Sequence, residues 1–368
     1  KLIDEVADRA KVSKDRARTS IFEIMETNRA ALVEEADAAD GGRERKADRL
    51  VRLVIDSGTD LFHDQYREAH AAVPEDGRRA IYRLRSRDFK LWLARQSFNE
   101  LGEVPATEIL NASLIALSGT AMFDGPEHRL YVRTAWRDDS IWYDLGKGRA
   151  VKVSPSGWEV VERPPILFRS SPHQQVQVTP QRGGMLQEVL PLINIEDKAD
   201  QLLYLAHLPA SMVPDIPRAI TVFQGPQGSA KSTGLRVLRE LLDPVEIPLV
   251  GVPKNADEFV RMASKNLCVF LDNVSSLPSW LSDGLSRLCT GDGLIKRALF
   301  TYDDDSIHKA KGVGGITCID LVITAPDMLD RSLLFHVARI PDDERLEERG
   351  LDESFAELKP KLLGAIFD

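Results

Sequence analysis

The chain has 368 residues, of which 43% are hydrophobic and 29% charged, and its formal net charge is −9. This composition fits a globular protein with room for two or three domains, and no apolar run approaches the roughly 18 residues of a membrane span. The charged first residues do not fit a signal peptide, and the three scattered cysteines indicate neither a disulfide framework nor a metal site, so we expect a cytoplasmic protein without a membrane partner. A nucleic-acid partner stays open, because a groove can be locally basic on an acidic protein.

The first half of the chain predicts two parts. Residues 1–50 carry apolar residues at helical spacing and predict a helical N-terminal segment. Because the sequence lacks an initiator Met, we expect a fragment of a longer chain or a trimmed product. Residues 51–184 predict an α+β accessory domain, entered by a helix over "ADRLVRLVIDSGTDLF". In it, strand-like runs such as "SIWYDLG" and "GWEVVER" accompany amphipathic helices at "RDFKLWLARQSFNEL" and "TEILNASLIALSGTAM".

Some residues of the accessory domain invite a functional interpretation. The adjacent His63 and Asp64 could suggest catalysis, but without a third group at useful spacing we expect a turn or a strand edge. The aromatic residues could stack on bases, although such side chains more often fill the core of a small α+β domain. The aromatic residues in question are Trp92, Trp142, Tyr143 and Trp158.

From residue 185 onward, helices alternate with continuous apolar strands. A helix is predicted at "DKADQLLYLAHLPASM", and strands follow at "AITVFQ", "LCVFLD" and "GITCID". Apolar strands alternating with helices indicate an α/β fold, with a mostly parallel sheet covered by helices on both faces. Residues 185–368 are therefore predicted to form one such domain.

A phosphate-binding loop is predicted between the strand "AITVFQ" and the helix that follows it, which is the context that this motif requires. Its backbone N–H groups and the helix N-terminus would bind the phosphates of ATP, with Lys231 on the β- and γ-phosphates and the Ser232 hydroxyl on Mg²⁺. The alternative is a glycine-rich turn with an accidental lysine. The loop comprises Gly225, Pro226, Gln227, Gly228, Ser229, Ala230, Lys231, Ser232 and Thr233.

One position departs from the loop pattern, because Ala230 stands where a glycine usually precedes the lysine. A methyl group is tolerated there if the backbone φ angle is negative, and Gly228 can supply the flexibility that the second glycine would have given. We therefore expect a negative φ at Ala230.

The second metal ligand is predicted at the end of the strand "LCVFLD". Asp272 follows four apolar residues in five and would hold Mg²⁺ together with Ser232; a buried strand ending in a turn Asp is the alternative. The next residue, Asn273, can orient a water molecule but cannot take its proton. Hydrolysis is then expected to be slow, or to be assisted by a nearby acid such as Asp283 or Asp292.

A β-hairpin between Leu294 and Lys311 is predicted to hold a nucleic-acid backbone through its basic residues, with a solvated edge hairpin as the alternative. Further along, Arg331 in "LDRSL" is the candidate arginine finger, which would reach the nucleotide of a neighbouring subunit in a ring; an ordinary salt-bridge arginine is the alternative. The basic residues of the hairpin are Lys296, Arg297, His308, Lys309 and Lys311.

The succession "GPQGSAKST", "VFLDNVS", "LSDGLSRLCTGDG", "KRALFTYDDD" and "PDMLDRSL" resembles the ATPase domain of phage- and plasmid-type primase-helicases, within or near the superfamily 3 helicases and the AAA+ class. The strings "LRSRDFKLWLARQSF", "IWYDLG" and "QRGG" resemble the region before that domain. The resemblance covers roughly Leu61 to Asp368, which is most of the chain. The departures are Ala230, Asn273 and the absence of an Asn sensor at the end of "GGITCID", where Thr317 or Asp320 is a poor substitute.

The resemblance implies an ATP-driven, ring-forming and usually hexameric motor. It would act on single-stranded or forked DNA during replication of a phage, prophage or plasmid in a bacterial cytoplasm, with a primase or polymerase domain in the same or another chain. A nucleotide-switched oligomeric scaffold with little DNA-stimulated hydrolysis is the alternative, favoured by Asn273 and by the acidic charge balance.

Overall fold

The structure is a computed structural model that describes residues 46–75, 77–169, 171–291, 294–297, 305–308, 310–343 and 348–368. Most of the predicted N-terminal segment, together with Asp292 and Lys309, lies outside the described residues. The described chain divides into two compact units, residues 46–56 with 90–117 and residues 57–89 with 118–368. The three ranges that the sequence suggested remain a prediction.

The described part of the chain contains both helices and strands. The helices are α1 (Lys46–Asp56), α2 (Arg87–Leu101), α3 (Thr107–Gly119), α4 (Lys198–Met212), α5 (Lys231–Leu242), α6 (Ala256–Ala263), α7 (Ser279–Thr290), α8 (Pro326–Asp330) and α9 (Glu348–Phe367), with a π-helical turn at Thr120–Asp124 and a 3₁₀ turn at Leu186–Leu192. The strands are β1 (Asp60–His63), β2 (Ala69–Glu75), β3 (Arg78–Arg83), β4 (Leu130–Tyr131), β5 (Thr134–Arg137), β6 (Ser140–Gly146), β7 (Arg149–Ser154), β8 (Gly157–Glu162), β9 (Leu167–Phe168), β10 (Ile220–Gln224), β11 (Cys268–Leu271), β12 (Leu294–Arg297), β13 (Asp305–His308), β14 (Val313–Cys318) and β15 (Ser332–His336).

The smaller unit is helical. Leu50 and Val54 of α1 are buried, and the Ser113 hydroxyl of α3 donates a hydrogen bond to the Ala47 carbonyl. The prediction that this helix continues through "SGTDLF" is wrong. The helix ends at Asp56, and β1 begins at Asp60. Gly58, at φ +74°, adopts the left-handed conformation that commonly ends a helix.

The accessory strands of the larger unit form an antiparallel β1–β2–β3 sheet and an antiparallel β5–β6–β7–β8 sheet. The predicted strands "SIWYDLG" and "GWEVVER" are confirmed as β6 and β8. Trp142, Tyr143 and Trp158 are all buried, and so is Trp92 on α2 in the helical unit, which confirms that these four aromatic side chains fill cores.

The predicted parallel sheet is confirmed, with the strand order β11–β14–β10–β15 and every neighbour parallel. Strands β10, β11 and β14 are buried on both faces. Phe223 of β10 packs with Leu235 of α5 on one side, whereas Val222 packs with Leu281 and Leu285 of α7 on the other. This two-sided burial explains why the strands are apolar at consecutive positions rather than at alternate ones.

Strand β15 was not predicted, because "LLFHVARI" follows directly on a short helix and carries no turn signal of its own. It pairs in parallel with β10, from Ile220 opposite Ser332 to Gln224 opposite His336. The phosphate-loop strand therefore lies inside the sheet, between β14 and β15.

Candidate nucleotide-binding site

The predicted phosphate loop lies at the carboxyl edge of the parallel sheet, between the end of β10 and the start of α5. Gly225 leaves β10 next to the chain that leaves β15, and a Cβ on it would stand 2.1 Å from the Val337 carbonyl oxygen. Its N–H donates to the Cys318 carbonyl at 3.2 Å. The first glycine of the motif is therefore required by the packing of the backbone itself.

The expectation for Ala230 is wrong. It lies just before the first residue of α5 with φ +56° and ψ +26°, in the left-handed region, and Gly228 has φ +78°. The flexible Gly228 therefore does not remove the need for a left-handed residue at position 230. The loop adopts the backbone that a glycine would favour and holds an alanine in it, at a cost of about 1–2 kcal/mol.

The Lys231 ammonium donates to carbonyl oxygens of its own loop, at 2.8 Å from Gly225 and 2.6 Å from Pro226, with the Ser229 hydroxyl at 3.3 Å. Partial burial lowers the pKa of Lys231, and the neighbouring Cys318 and Asp272 oppose that shift. These contacts hold the Lys231 ammonium against the backbone of its own loop, at the N-terminus of α5.

The two predicted metal ligands are in direct contact. The Ser232 hydroxyl donates to Asp272 Oδ1 at 2.7 Å, and the Thr317 hydroxyl donates to the same oxygen at 2.5 Å. Thr317 lies near the end of β14, between the strands that lead to Ser232 and Asp272, and it also accepts a hydrogen bond from the Asn273 N–H at 2.8 Å. Thr317, considered a poor sensor from the sequence, therefore orients the carboxylate.

The residue next to Asp272 in the chain is Asn273, and of the two acids suggested as assistants, Asp283 and Asp292, only Asp283 lies within the described residues. Asn273 is exposed and adopts φ +53°, a conformation that Asn tolerates better than most residues. Asp283 lies on an exposed position of α7. The group beside the metal ligands is therefore an amide, whose oxygen can only accept a hydrogen bond from water.

Arg331 lies far from the phosphate loop of its own chain. Its carbonyl accepts from Ile220 N–H at the opposite end of β10, so about five strand residues, or roughly 16 Å, separate it from the loop. Its guanidinium bonds the carbonyl and the carboxylate of Asp327 one turn earlier on α8. The length of β10 therefore separates the backbone of Arg331 from the loop that carries Lys231.

The predicted hairpin exists as two paired strands, with Lys296 opposite Ser306 and Arg297 opposite Asp305 in an antiparallel register. Asp305 is the first residue of β13. Beyond the hairpin, the Lys311 ammonium donates to the Asp215 carbonyl at 2.8 Å. The described basic residues of this region therefore lie on and just after one β-ribbon.

Asn194 braces the phosphate loop, which the sequence did not predict. Its amide donates to the Ser229 carbonyl at 3.2 Å and to the Ala338 carbonyl at 2.7 Å. The Ile340 N–H also donates to the Gly228 carbonyl at 3.1 Å. The segments before α4 and after β15 thus fix the loop from outside, and nothing in "LINIED" distinguishes this Asn from a surface residue.

A buried ion pair ties the accessory strands to the same site. Arg133 is fully buried, and its Nε donates to Asp243 Oδ1 at 2.9 Å. Asp243 ends α5, and its other oxygen accepts from the N–H groups of Leu267 and Cys268, at the start of β11. One carboxylate therefore fixes the far ends of both elements that carry Ser232 and Asp272.

The residues present fit ATP and Mg²⁺. A hydroxyl and a carboxylate 2.7 Å apart are the oxygen ligands that Mg²⁺ takes beside phosphates, and Lys231 stands at the N-terminus of a twelve-residue helix that favours anions. Gly225 and Gly228 leave the loop backbone without side chains at these two positions. Binding would require Lys231 to exchange its carbonyl partners for phosphate oxygens.

His63 ends β1 and Asp64 begins the turn that follows it, which confirms the prediction of a turn or a strand edge. Asp64 Oδ1 accepts from the N–H groups of Tyr66 and Glu68, and its Oδ2 accepts from Arg169 at 2.9 Å. Asp64 lies within 4.8 Å of ligand atoms of Glu68 and His70. Because arginines already bind both carboxylates, this cluster makes a poor metal site.

None of the described helices is long and apolar enough to cross a membrane.

A search of curated proteins found no significant match. Among solved structures, the chain is similar to the A form of the apo NrS-1 C-terminal region, with 12% identity and a TM-score of 0.51 over 86% of this chain and 68% of that one. A second apo structure of that region gives 12% identity and a TM-score of 0.50 over 88% and 70%.

A third solved structure, JCV helicase with a bound small molecule, has 16% identity and a TM-score of 0.31 over 50% of this chain and 52% of that one, which is too low to establish a common fold. The fold is therefore the one seen in the NrS-1 C-terminal region. The part of the chain that carries the phosphate loop, Ser232 and Asp272, residues 186–368, matches the family described as the actinomycete integrative conjugative element replication protein.

Proposed function

We propose that this chain is an ATP-dependent motor that acts on DNA during replication of an integrative conjugative element or a similar mobile element. The observation that carries the proposal is the contact of Ser232 with Asp272 beside the Lys231 loop, because a phosphate loop and a second-strand acid must meet for Mg²⁺–ATP chemistry. The match of residues 186–368 to a replication family supports the biological setting.

The residues of the candidate site have the following roles in ATP binding and hydrolysis. Lys231 and the loop N–H groups bind the phosphates, and Ser232 with Asp272 holds the metal, while Thr317 keeps Asp272 in position. Bound ATP with Mg²⁺ supplies the phosphoanhydride bond and the charge that polarises it. Asn273 orients the attacking water.

The position of Arg331 supports the proposal that the chain assembles into a ring, hexameric as in the family that the sequence resembles. An arginine roughly 16 Å from its own loop can stabilise phosphate charge only across a subunit boundary. The ribbon of β12 and β13, with Lys311 at its base, is where the motor would contact the phosphate backbone of single-stranded or forked DNA.

The test is ATP turnover with and without single-stranded DNA. Lys231→Ala should abolish turnover, whereas Lys254→Ala, an exposed lysine outside the site, should leave it unchanged. Arg331→Ala should abolish turnover yet keep ATP binding, and mixing it with Lys231→Ala should restore some activity, because each protein supplies the group that the other lacks. Turnover that is insensitive to Lys231→Ala would refute the site.

The second candidate is a nucleotide-switched scaffold, which the amide at Asn273 favours. The variant Asn273→Asp separates the two, because Asp also tolerates the left-handed backbone at this position. A motor should already show DNA-stimulated turnover in the wild type. A switch should bind ATP, assemble, show no stimulation, and gain turnover only as Asn273→Asp.

A further inference from the structure

A groove of about 630 Å³ lies between the accessory strands and the ATPase core. Its accessory wall comes from the turn after β1 and from β4 and β5, and its other wall comes from the segment before β10, the end of α6 and the residues after β13. Neither wall contains a residue of the candidate nucleotide site. The groove is therefore a separate feature of the larger unit.

Aromatic rings line the accessory wall. Trp136 on β5 is 46% exposed, and it is the most exposed tryptophan of the described chain, whereas Trp142 on the next strand is 5% exposed. Tyr131 on β4 carries the Arg129 guanidinium 5.0 Å from its ring centroid. Partly exposed rings beside an arginine form a surface on which unpaired bases stack.

Cationic groups exceed acids along the groove. Lys311 is held by the Asp215 carbonyl rather than by a carboxylate, so its charge is not neutralised by that contact. Arg218, only 5% exposed, also donates to carbonyl groups, and the Nε of Arg169 is buried without a hydrogen-bond partner. Among the lining residues, four cations face two acids, and one of the four, Arg169, is paired with Asp64 behind the groove lining. The acids are Glu127 and Asp215, and the cations are Arg129, Arg169, Arg218 and Lys311.

The groove begins where the candidate DNA-binding ribbon ends. Lys311 follows β13 by three residues and lines the groove, so the ribbon and the groove are adjacent along the chain. A duplex offers no unpaired base faces for stacking, whereas a single strand does. The combination of rings and cations fits a single strand.

We propose that this groove binds a stretch of single-stranded DNA, with bases stacked on Trp136 and Tyr131 and phosphates on Arg129 and Lys311. This rests on the proposed function as a DNA motor, and it gives the accessory strands a role in holding the strand that the motor moves.

The experiment measures binding of a fluorescent deoxythymidine oligomer by anisotropy, using the full chain at salt concentrations from about 50 to 200 mM. Trp136→Ala should weaken binding roughly 5- to 150-fold, and Trp136→Phe should largely restore it. Arg129→Gln should lower the slope of log affinity against log salt by about 0.7, the value for one lost phosphate contact on a single strand. Phe123→Ala and Lys147→Ala, exposed residues that do not line this groove, should bind as the wild type does.

The outcomes separate this proposal from the motor itself. If the wild type binds the oligomer and Trp136→Ala binds it equally well, the groove assignment is overturned while the motor stands. If the Lys147→Ala control weakens binding and Arg129→Gln does not, the strand follows another surface. If a uridine oligomer binds and the deoxythymidine oligomer does not, DNA is the wrong ligand. If the wild type binds neither, the proposed function fails together with this inference.

Discussion

The alanine at position 230 offers a direct test of the loop geometry. At φ +56° an L-residue costs about 1–2 kcal/mol relative to glycine, and introducing glycine costs about 0.5–1 kcal/mol through the larger backbone entropy of the unfolded chain. Ala230→Gly should therefore raise the free energy of unfolding by about 0.5–1 kcal/mol. In a chain of this size, the corresponding rise in melting temperature is about 1–2 °C.

A matched control is Ala210→Gly, at an exposed helical position of α4, where the same substitution should lower stability by up to about 1 kcal/mol. Both variants are measured by urea unfolding and by thermal melting without nucleotide. Opposite signs support the left-handed conformation of Ala230. If both variants lose stability equally, position 230 has a negative φ in solution, and the strain attributed to this alanine does not exist.

Three further predictions follow from buried contacts. Asp243→Ala should lower the free energy of unfolding by about 3–5 kcal/mol in urea titrations, because it leaves a fully buried arginine without its partner, whereas Asp342→Ala, which breaks an exposed pair, should cost less than about 1 kcal/mol. Thr317→Val should lower Mg²⁺ affinity or turnover roughly 10- to 100-fold, with ATP affinity less affected, because Asp272 loses the hydroxyl that orients it; unchanged kinetics would remove Thr317 from the site. Burial lowers the pKa of His207 to about 4, below the unfolded value of about 6.5, so the neutral form is favoured in the folded state and about 3 kcal/mol of stability should be lost as pH falls from 7 to 4. His207→Gln should lack that part of the pH dependence, and an equal dependence in the two proteins would contradict it.

Local sequence predicted those parts of the fold whose signals are contained within one element. The apolar runs of β10, β11 and β14 indicated strands, and their lack of alternation indicated a parallel sheet buried on both faces, because each residue in such a strand meets a helix on one side or the other. The motif at residues 225–233 predicted where the phosphate loop would lie. The spacing of glycine, lysine and hydroxyl residues is itself the backbone requirement of such a loop.

Other features were decided by tertiary contacts that leave no local signal. Strand β15 pairs in parallel with β10. Its sequence is equally compatible with a strand and with the continuation of a loop. Asn194 and Arg133 act on the site across 35 and 110 positions of the chain, through an amide and a buried ion pair. A single sequence without related sequences for comparison contains no trace of such pairs.

By itself, then, the sequence determined that the chain contains a strand, a phosphate loop and a helix in order, followed by a strand that ends in Asp272, because propensity, periodicity and motif spacing are properties of consecutive residues. Only the tertiary structure decided that Ser232 and Thr317 share one oxygen of Asp272, that Ala230 is left-handed, that Arg331 lies at the far end of the sheet, and that Trp136 lines a groove while Trp142 is buried. These outcomes depend on which strands become neighbours and which faces they bury, and both are set by packing among residues distant in the sequence.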